Sequence, residues 1–169
     1  MTIQTITSAQ TSQKQVPALA KRIDWVQGQT CLDLGGGKYD LTTEYLWRVE
    51  GVRNYIVDPY NRSIEHNVNA LMELDAQGGA DVCMLANVLN VIREPEIRQG
   101  VLQQAYANLK PGGRLYVSCY PGSLSRVGGP SKRGWQENRP IGTYLSEVLA
   151  IFEDAYLRNG IIVAPKRFR

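Results

Sequence analysis

CLDLGGGKYD, residues 31–40, decides the fold. Residues 30–34 form a short apolar run that enters three consecutive glycines, the pattern of a buried parallel strand whose C-terminal end opens on a ligand. Gly35 and Gly37 let the backbone turn sharply and pass close to a bound group where a side chain would clash; the competing reading is a plain turn. Two phosphate-binding patterns do not fit. A G-x-G-x-x-G register counted from Gly35 ends on Asp40, a negative charge where a pyrophosphate would lie, and no Gly-Lys-Ser/Thr closes a Walker loop.

Outward from this turn, helix and strand signals alternate. Upstream, Val16, Leu19, Ile23 and Val26 recur three and four apart and predict a helix ending near Gly28. Downstream, Leu41, Tyr45, Leu46 and Val49 mark a helix closed by Gly51, and residues 55–57 form a strand ending at Asp58, which completes a βαβ unit. Ser63 caps a third helix with Ile64, Val68, Leu71 and Met72 inward. Residues 81–86 read as a strand, although the stretch 73–80 has room for a small extra one. Pro95 opens a helix that stops at Pro111-Gly112-Gly113, and residues 115–119 return as a strand. Thr143 caps a last helix with Leu145, Val148, Leu149 and Phe152 inward, and Asn159-Gly160 between two short runs is a hairpin turn.

Six strands with helices between them predict an α/β fold: a single three-layer Rossmann-like domain over residues 16–169, its sheet mostly parallel with a C-terminal antiparallel hairpin. The chain has 169 residues, enough for one well-cored domain. Residues 1–15 are Thr, Ser and Gln with little to bury, so a flexible or surface-draped arm is expected. No apolar run approaches the roughly 20 residues needed to cross a bilayer, and the start lacks a secretory signal, so a cytoplasmic protein without a membrane partner is expected. Cys31, Cys83 and Cys119 lie far apart in apolar runs with one histidine in the chain, which argues for reduced core thiols and no metal site.

Charge is unevenly placed. Residues 1–120 carry 11 Lys/Arg against 12 Asp/Glu, whereas residues 121–169 carry 8 against 4. That asymmetry suits an acidic substrate or a nucleic-acid backbone, but is weaker than the basic face of a dedicated DNA binder.

The D-x-G-x-G arrangement of Asp33, Gly35 and Gly37 resembles the first motif of class I S-adenosylmethionine-dependent methyltransferases. YIVDPYN puts Asp58 where that family takes the ribose hydroxyls. Residues 80–92, ADVCMLANVLNVI, are similar to its fourth strand and the floor beneath the methionine moiety, and residues 109–119, LKPGGRLYVSC, to its next helix end, turn and fifth strand. The resemblance spans residues 16–165, and DPYNRS, NVLNVI and RGWQENRP are similar to small methyltransferases of phages and bacteria. It implies S-adenosylmethionine as cofactor and S-adenosylhomocysteine as product, with cofactor contacts from Asp33, Gly35, Gly36, Gly37, Lys38, Tyr39, Asp58, Asn87 and Val88. Two departures stand out. The family's third glycine is Tyr39 here, so the turn is tighter or the tyrosine folds over the cofactor. The interval from Asp58 to Asp81 is short, so the third strand is shortened or missing, and only Asp75 is offered for the acidic adenine contact.

On the acceptor side, Asn90, Tyr120, Arg126 and Trp135 are candidates. The segment 121–140 holds four glycines, three prolines and four basic residues, Arg126, Lys132, Arg133 and Arg139, and no periodic pattern, so it is expected to be a long functional loop. Each candidate has a plainer reading: Trp135 and Tyr120 as core or lid, the basic set as a solvated loop, Lys38 as a solvated helix-start residue. His66 reads as a surface or capping residue. No catalytic base is identified, and methyl transfer needs one only when the acceptor arrives protonated. The DPY of residues 58–60 lies after the wrong strand for a base-amino methyltransferase, whose aromatic tetrapeptide is replaced by Asn87-Val88-Leu89-Asn90. The expected function is methyl transfer to a small or modest-sized acceptor, anionic if the basic loop faces it. The alternatives are phage-type nucleic-acid modification and a catalytically silent cofactor-fold binding module.

Overall fold

The computed structural model describes residues 3–7, 9–122, 128–131 and 134–168. β1 (Thr30–Leu34), β2 (Arg53–Val57), β3 (Ala80–Ala86) and β4 (Leu109–Ser118) run parallel. The hairpin of β7 (Tyr156–Arg158) and β8 (Ile161–Pro165) extends them antiparallel, β8 pairing with β4, and the order across the sheet is β2-β1-β3-β4-β8-β7. The six expected strands are therefore the six of this sheet. Asn159 and Gly160 both take positive φ, 49° and 76°, as a two-residue hairpin of this hand demands. β2 is an edge, so the third strand of the expected pattern is absent among the described residues, and in the stretch 73–80 that had room for an extra strand, residues 73–76 end helix α2 (Ile64–Ala76) and Ala80 opens β3.

Strand alternation sends Leu32 and Leu34 to one face, against α2, α3 (Pro95–Asn108) and α4 (Leu145–Leu149), and sends Cys31 to the other. On that second face lie Leu46 of the segment that continues α1 (Leu41–Tyr45) and a 3₁₀ turn, Ala18–Lys21. This layer differs from expectation: the helix of residues 16–26 is only that turn, with Leu19, Ala20 and Ile23 buried and Val26 61% exposed. Pro17 fixes an extended entry, and the chain needs to cover only the narrow strip beside Val82 and Met84.

Two more expectations are corrected. Ser63 does cap α2, its hydroxyl accepting the His66 N–H, and Leu71 packs partly buried against the core as expected, but the buried residues are Ala70 and Leu74, while Ile64, Val68 and Met72 face solvent. α4 follows a 3₁₀ turn, Ile141–Tyr144, and Thr143 folds its hydroxyl back onto the Pro140 carbonyl instead of capping; Val148 and Phe152 are inward and Leu149 is 39% exposed. The expected loop 121–140 also holds a hairpin, β5 (Gly129–Ser131) and β6 (Gly134–Gln136).

The three cysteines are buried and free, and burial pushes the Cys119 thiol up to about 12 and the other two well above the usual range, as inert core thiols require. Among the described residues no helix is long and apolar enough to cross a membrane.

Candidate functional site

The chain leaves β1 for β2 on one side and then crosses to β3 on the other, so the direction of winding reverses between β1 and β3. Open α/β sheets bind ligands at the C-terminal strand ends flanking such a reversal. A cavity of about 770 Å³ lies there, lined by the residues that follow β1, β2 and β3. Its size is that of a site for a drug-sized ligand or larger.

The glycine turn is held from two directions by the segment after β2. Asp58, 4% exposed, accepts the Gly37 N–H at 2.9 Å, and also the Tyr60 and Asn61 N–H groups and the Asn61 amide. Arg62 donates to the Gly37 and Tyr39 carbonyls at 2.8 and 3.0 Å and pairs with Asp40. Sequence reasoning found Asp58 and missed Arg62, since nothing in a run of turn residues shows which carbonyls a distant arginine will reach.

The three glycines have different reasons. Gly35, at φ 71°, would place a Cβ 2.8 Å from Val88. Gly36 would meet the Asp33 carboxylate at 2.6 Å, so its missing side chain is what lets Asp33 lie beneath the turn. Gly37, at φ 80°, would collide with Ser12 of the N-terminal arm. Asp33 is 2% exposed, and burial, reinforced by the Asp58 charge, pushes its carboxyl up to about 7 against the opposing pull of Asn54 and Arg62.

The remaining candidates separate cleanly. Tyr39, Val88, Asn90 and Tyr120 line the cavity, and Asn87, left-handed at φ 58°, lines it while accepting the Tyr120 N–H at 2.7 Å, which ties the ends of β3 and β4 together. Lys38 offers its backbone: the N–H donates to Ser12, and the ammonium lies 5.2 Å over the Tyr39 ring, outside the lining. Trp135 takes the core position that was one of its two readings. It is 8% exposed and packs on Gly128, and Ser131 and Gln136 of the same hairpin reach the cavity instead. Arg126, Lys132 and Arg133 lie outside the described residues. Arg139 is engaged elsewhere, stacked 3.8 Å over Tyr144 and paired with Glu137 and Glu147. His66 contacts the Ile56 carbonyl and Asp75 is exposed on α2; neither lines the cavity.

Against this geometry, a family model described as "Methyltransferase domain" matches residues 10–148. The chain belongs to this methyltransferase-domain family. Solved structures similar to this methyltransferase-family chain include Burkholderia thailandensis 1,6-didemethyltoxoflavin-N1-methyltransferase with its acceptor and S-adenosylhomocysteine (TM-score 0.61, 18% identity, 89% of this chain and 75% of that one). Human N-acetylserotonin methyltransferase with S-adenosylmethionine (0.60, 19%, 89% and 51%) and PigF with S-adenosylhomocysteine (0.59, 20%, 89% and 54%) are also similar. The chain spans about half the length of the last two. No curated protein matches it by sequence. At these identities the likeness is one of fold, and it agrees with the mostly parallel sheet and terminal antiparallel strands described above.

The residues present fit the family's cofactor. A turn closed against side chains at Gly35 and Gly37 borders the cavity, an acidic side chain stands at the end of β2, and Tyr39 lines the same cavity.

Proposed function

We propose that this protein is an S-adenosylmethionine-dependent methyltransferase acting on a small, uncharged acceptor. The observation that carries the reading is the cavity itself: it is lined both by the glycine turn and Asp58 and by Asn90, Gln104 and Gln136, and its described lining contains no Lys or Arg. A cofactor bound at the turn supplies a methyl group on a sulfonium, transferred in line to a nucleophile. The protein's part is alignment and exclusion of water.

Asp58 accepts four hydrogen bonds from the protein, the capacity of a carboxylate, so ribose hydroxyls exchange with existing donors, of which the Asn61 amide at 3.2 Å is the longest. On the acceptor side, Asn90 is 2% exposed and its Oδ1 has no partner among the described residues. A buried amide oxygen of this kind favours a ligand that donates an N–H or O–H. Ile97 and Val101 of α3 supply apolar wall. The described lining holds no cation to offset the desolvation of a carboxylate or phosphate on the acceptor, which favours an uncharged one.

Thermal scans with S-adenosylhomocysteine test the cofactor half. A ligand at 100 times its dissociation constant contributes about 2.7 kcal/mol; no shift at millimolar ligand would overturn it. Transfer of radiolabelled methyl to matched hydroxyl- or N–H-bearing aromatics with and without a carboxylate tests the other half, and a preference for the carboxylated members would overturn it.

A further inference from the structure

We propose that the N-terminal segment, described over residues 3–7 and 9–13, is a cofactor-binding element: a strap across the cavity mouth that holds the ligand in place and must lift for the ligand to exchange. The proposal rests on the reading of the cavity as a cofactor site and extends it to a segment that carries no sequence motif.

The strap is attached at three places around the rim. Near its start, Gln4 is buried at 7% exposure; its amide donates to the Ile6 and Val91 carbonyls at 2.7 and 3.3 Å and its Oε1 accepts the Tyr60 hydroxyl at 2.8 Å. Beside it, the Thr5 N–H and hydroxyl both donate to Glu94 at 3.0 and 2.6 Å. In the middle, the Thr7 carbonyl lies 2.7 Å from where Gly134 would carry a Cβ, so the segment passes directly against the β5–β6 hairpin. At its end, Ser12 accepts the Lys38 N–H at 3.1 Å and packs on Gly37, and Thr11, Ser12 and Gln13 line the cavity. The segment thus spans from the approach to α3, past the acceptor-side hairpin, to the glycine turn.

Its chemistry suits a closure that opens. No residue before Lys14 is charged, and Gln4 is the one buried side chain among the described residues 3–13. The anchors are neutral or singly charged hydrogen bonds, exposed at Thr5 and partly or fully buried at Gln4, and no apolar side chain among the described residues of the segment is buried in the core. Segments with few buried apolar contacts open at low free-energy cost. A ligand seated against the glycine turn lies beneath Ser12, which contacts the turn where only glycine leaves room. The Lys38 N–H that Ser12 occupies is a donor of the turn itself, so Ser12 positions the turn and meets the ligand there.

The test uses the full chain, with S-adenosylhomocysteine as probe and stopped-flow dissociation as readout. Gln4→Ala/Thr5→Val removes anchor bonds at the start of the strap; Gln4 also bonds Tyr60 beside Asp58, so Thr5→Val, whose bonds go to Glu94 alone, separates the strap from the ribose end. Dissociation should quicken by at least about five- to tenfold, the factor that one net hydrogen bond makes, since the pair loses three side-chain bonds of Gln4 and the Thr5 hydroxyl bond. Thr5→Val alone, a surface change that leaves the fold untouched, should give a smaller acceleration of the same sign. Amide exchange of residues 3–13 should slow when the ligand is added to the wild type. Equal dissociation rates in wild type and variants, or tighter binding in the variants, would overturn the strap while leaving the cofactor site standing. Failure of the wild-type chain to bind S-adenosylhomocysteine would overturn both.

Discussion

The carboxylate of Asp58, at the end of β2, accepts the backbone N–H of Gly37 in the turn after β1, 2.9 Å away and 21 positions distant in sequence. The acidic residue that the family resemblance assigns to ribose thus also sets the shape of the turn on which the cofactor would lie. Loss of Asp58 removes a ligand contact and frees the turn. Asp58→Ala should weaken S-adenosylhomocysteine binding by about 1.5 to 3 kcal/mol, the range for hydrogen bonds to a charged group, and should also lower the melting temperature of the unliganded protein. Calorimetry with wild-type affinity would remove Asp58 from the site.

Gly37 and Ser12 should be energetically coupled. Gly37→Ala forces a Cβ at φ 80° and into Ser12. The first effect costs about 1 to 2 kcal/mol for any L-residue and the second vanishes if Ser12 is shortened. Gly37→Ala/Ser12→Gly should therefore recover part of the loss in a double-mutant cycle, and strict additivity would show that the two residues do not meet.

Asp33 predicts a pH dependence of stability. Its folded-state pKa is raised to about 7 from an ordinary 3.8, so the native state binds the proton more tightly than the unfolded chain. The stabilisation is fully present below about pH 4 and is lost as pH rises through about 7, with no further change from this group above that. Asp33→Asn should flatten that slope in denaturant titrations between pH 4 and 7; an unchanged slope would assign it to other groups.

Arg98 is 5% exposed and spends its guanidinium on both oxygens of Glu147 at 2.8 Å and on the Ile92 and Arg93 carbonyls at 2.8 and 2.9 Å, joining the start of α3 to α4. Arg98→Ala leaves two carbonyls and a carboxylate without that partner and should cost about 3 kcal/mol of stability. Arg98→Lys should recover little of it, because an ammonium cannot reproduce the two-pronged pairing.

Trp135 should act through packing. With its ring against Gly128 and away from the cavity, Trp135→Ala should lower the melting temperature without changing S-adenosylhomocysteine affinity. A variant of wild-type stability with reduced turnover would restore a direct role at the acceptor.

The local pattern of residues 30–40, the strand signals, the Asn-Gly hairpin and the short interval from Asp58 to Asp81 were enough to read the sheet, a third strand shortened or missing, and the edge where the cavity lies. Each is a short-range property: a glycine run after an apolar strand, a turn dipeptide with positive φ at both positions, a chain too short for another strand and crossover. What failed in sequence depended on neighbours that periodicity cannot see. Val16 to Val26 has helical spacing, yet a narrow strip of sheet needs covering there and a single 3₁₀ turn does it. Ile64, Val68 and Met72 have the spacing of a buried face, but the edge position of β2 leaves that side of α2 without a partner strand beneath it. Trp135 could equally have been lid or core, and the β5–β6 pairing turned its ring toward Gly128. Only the tertiary structure brings Gln4 and Ser12 to the cavity and sets Arg62 on the carbonyls of the glycine turn, because a polar side chain's role is decided by which unpaired backbone groups lie within about 3 Å of it, and the chain's path through space alone determines that.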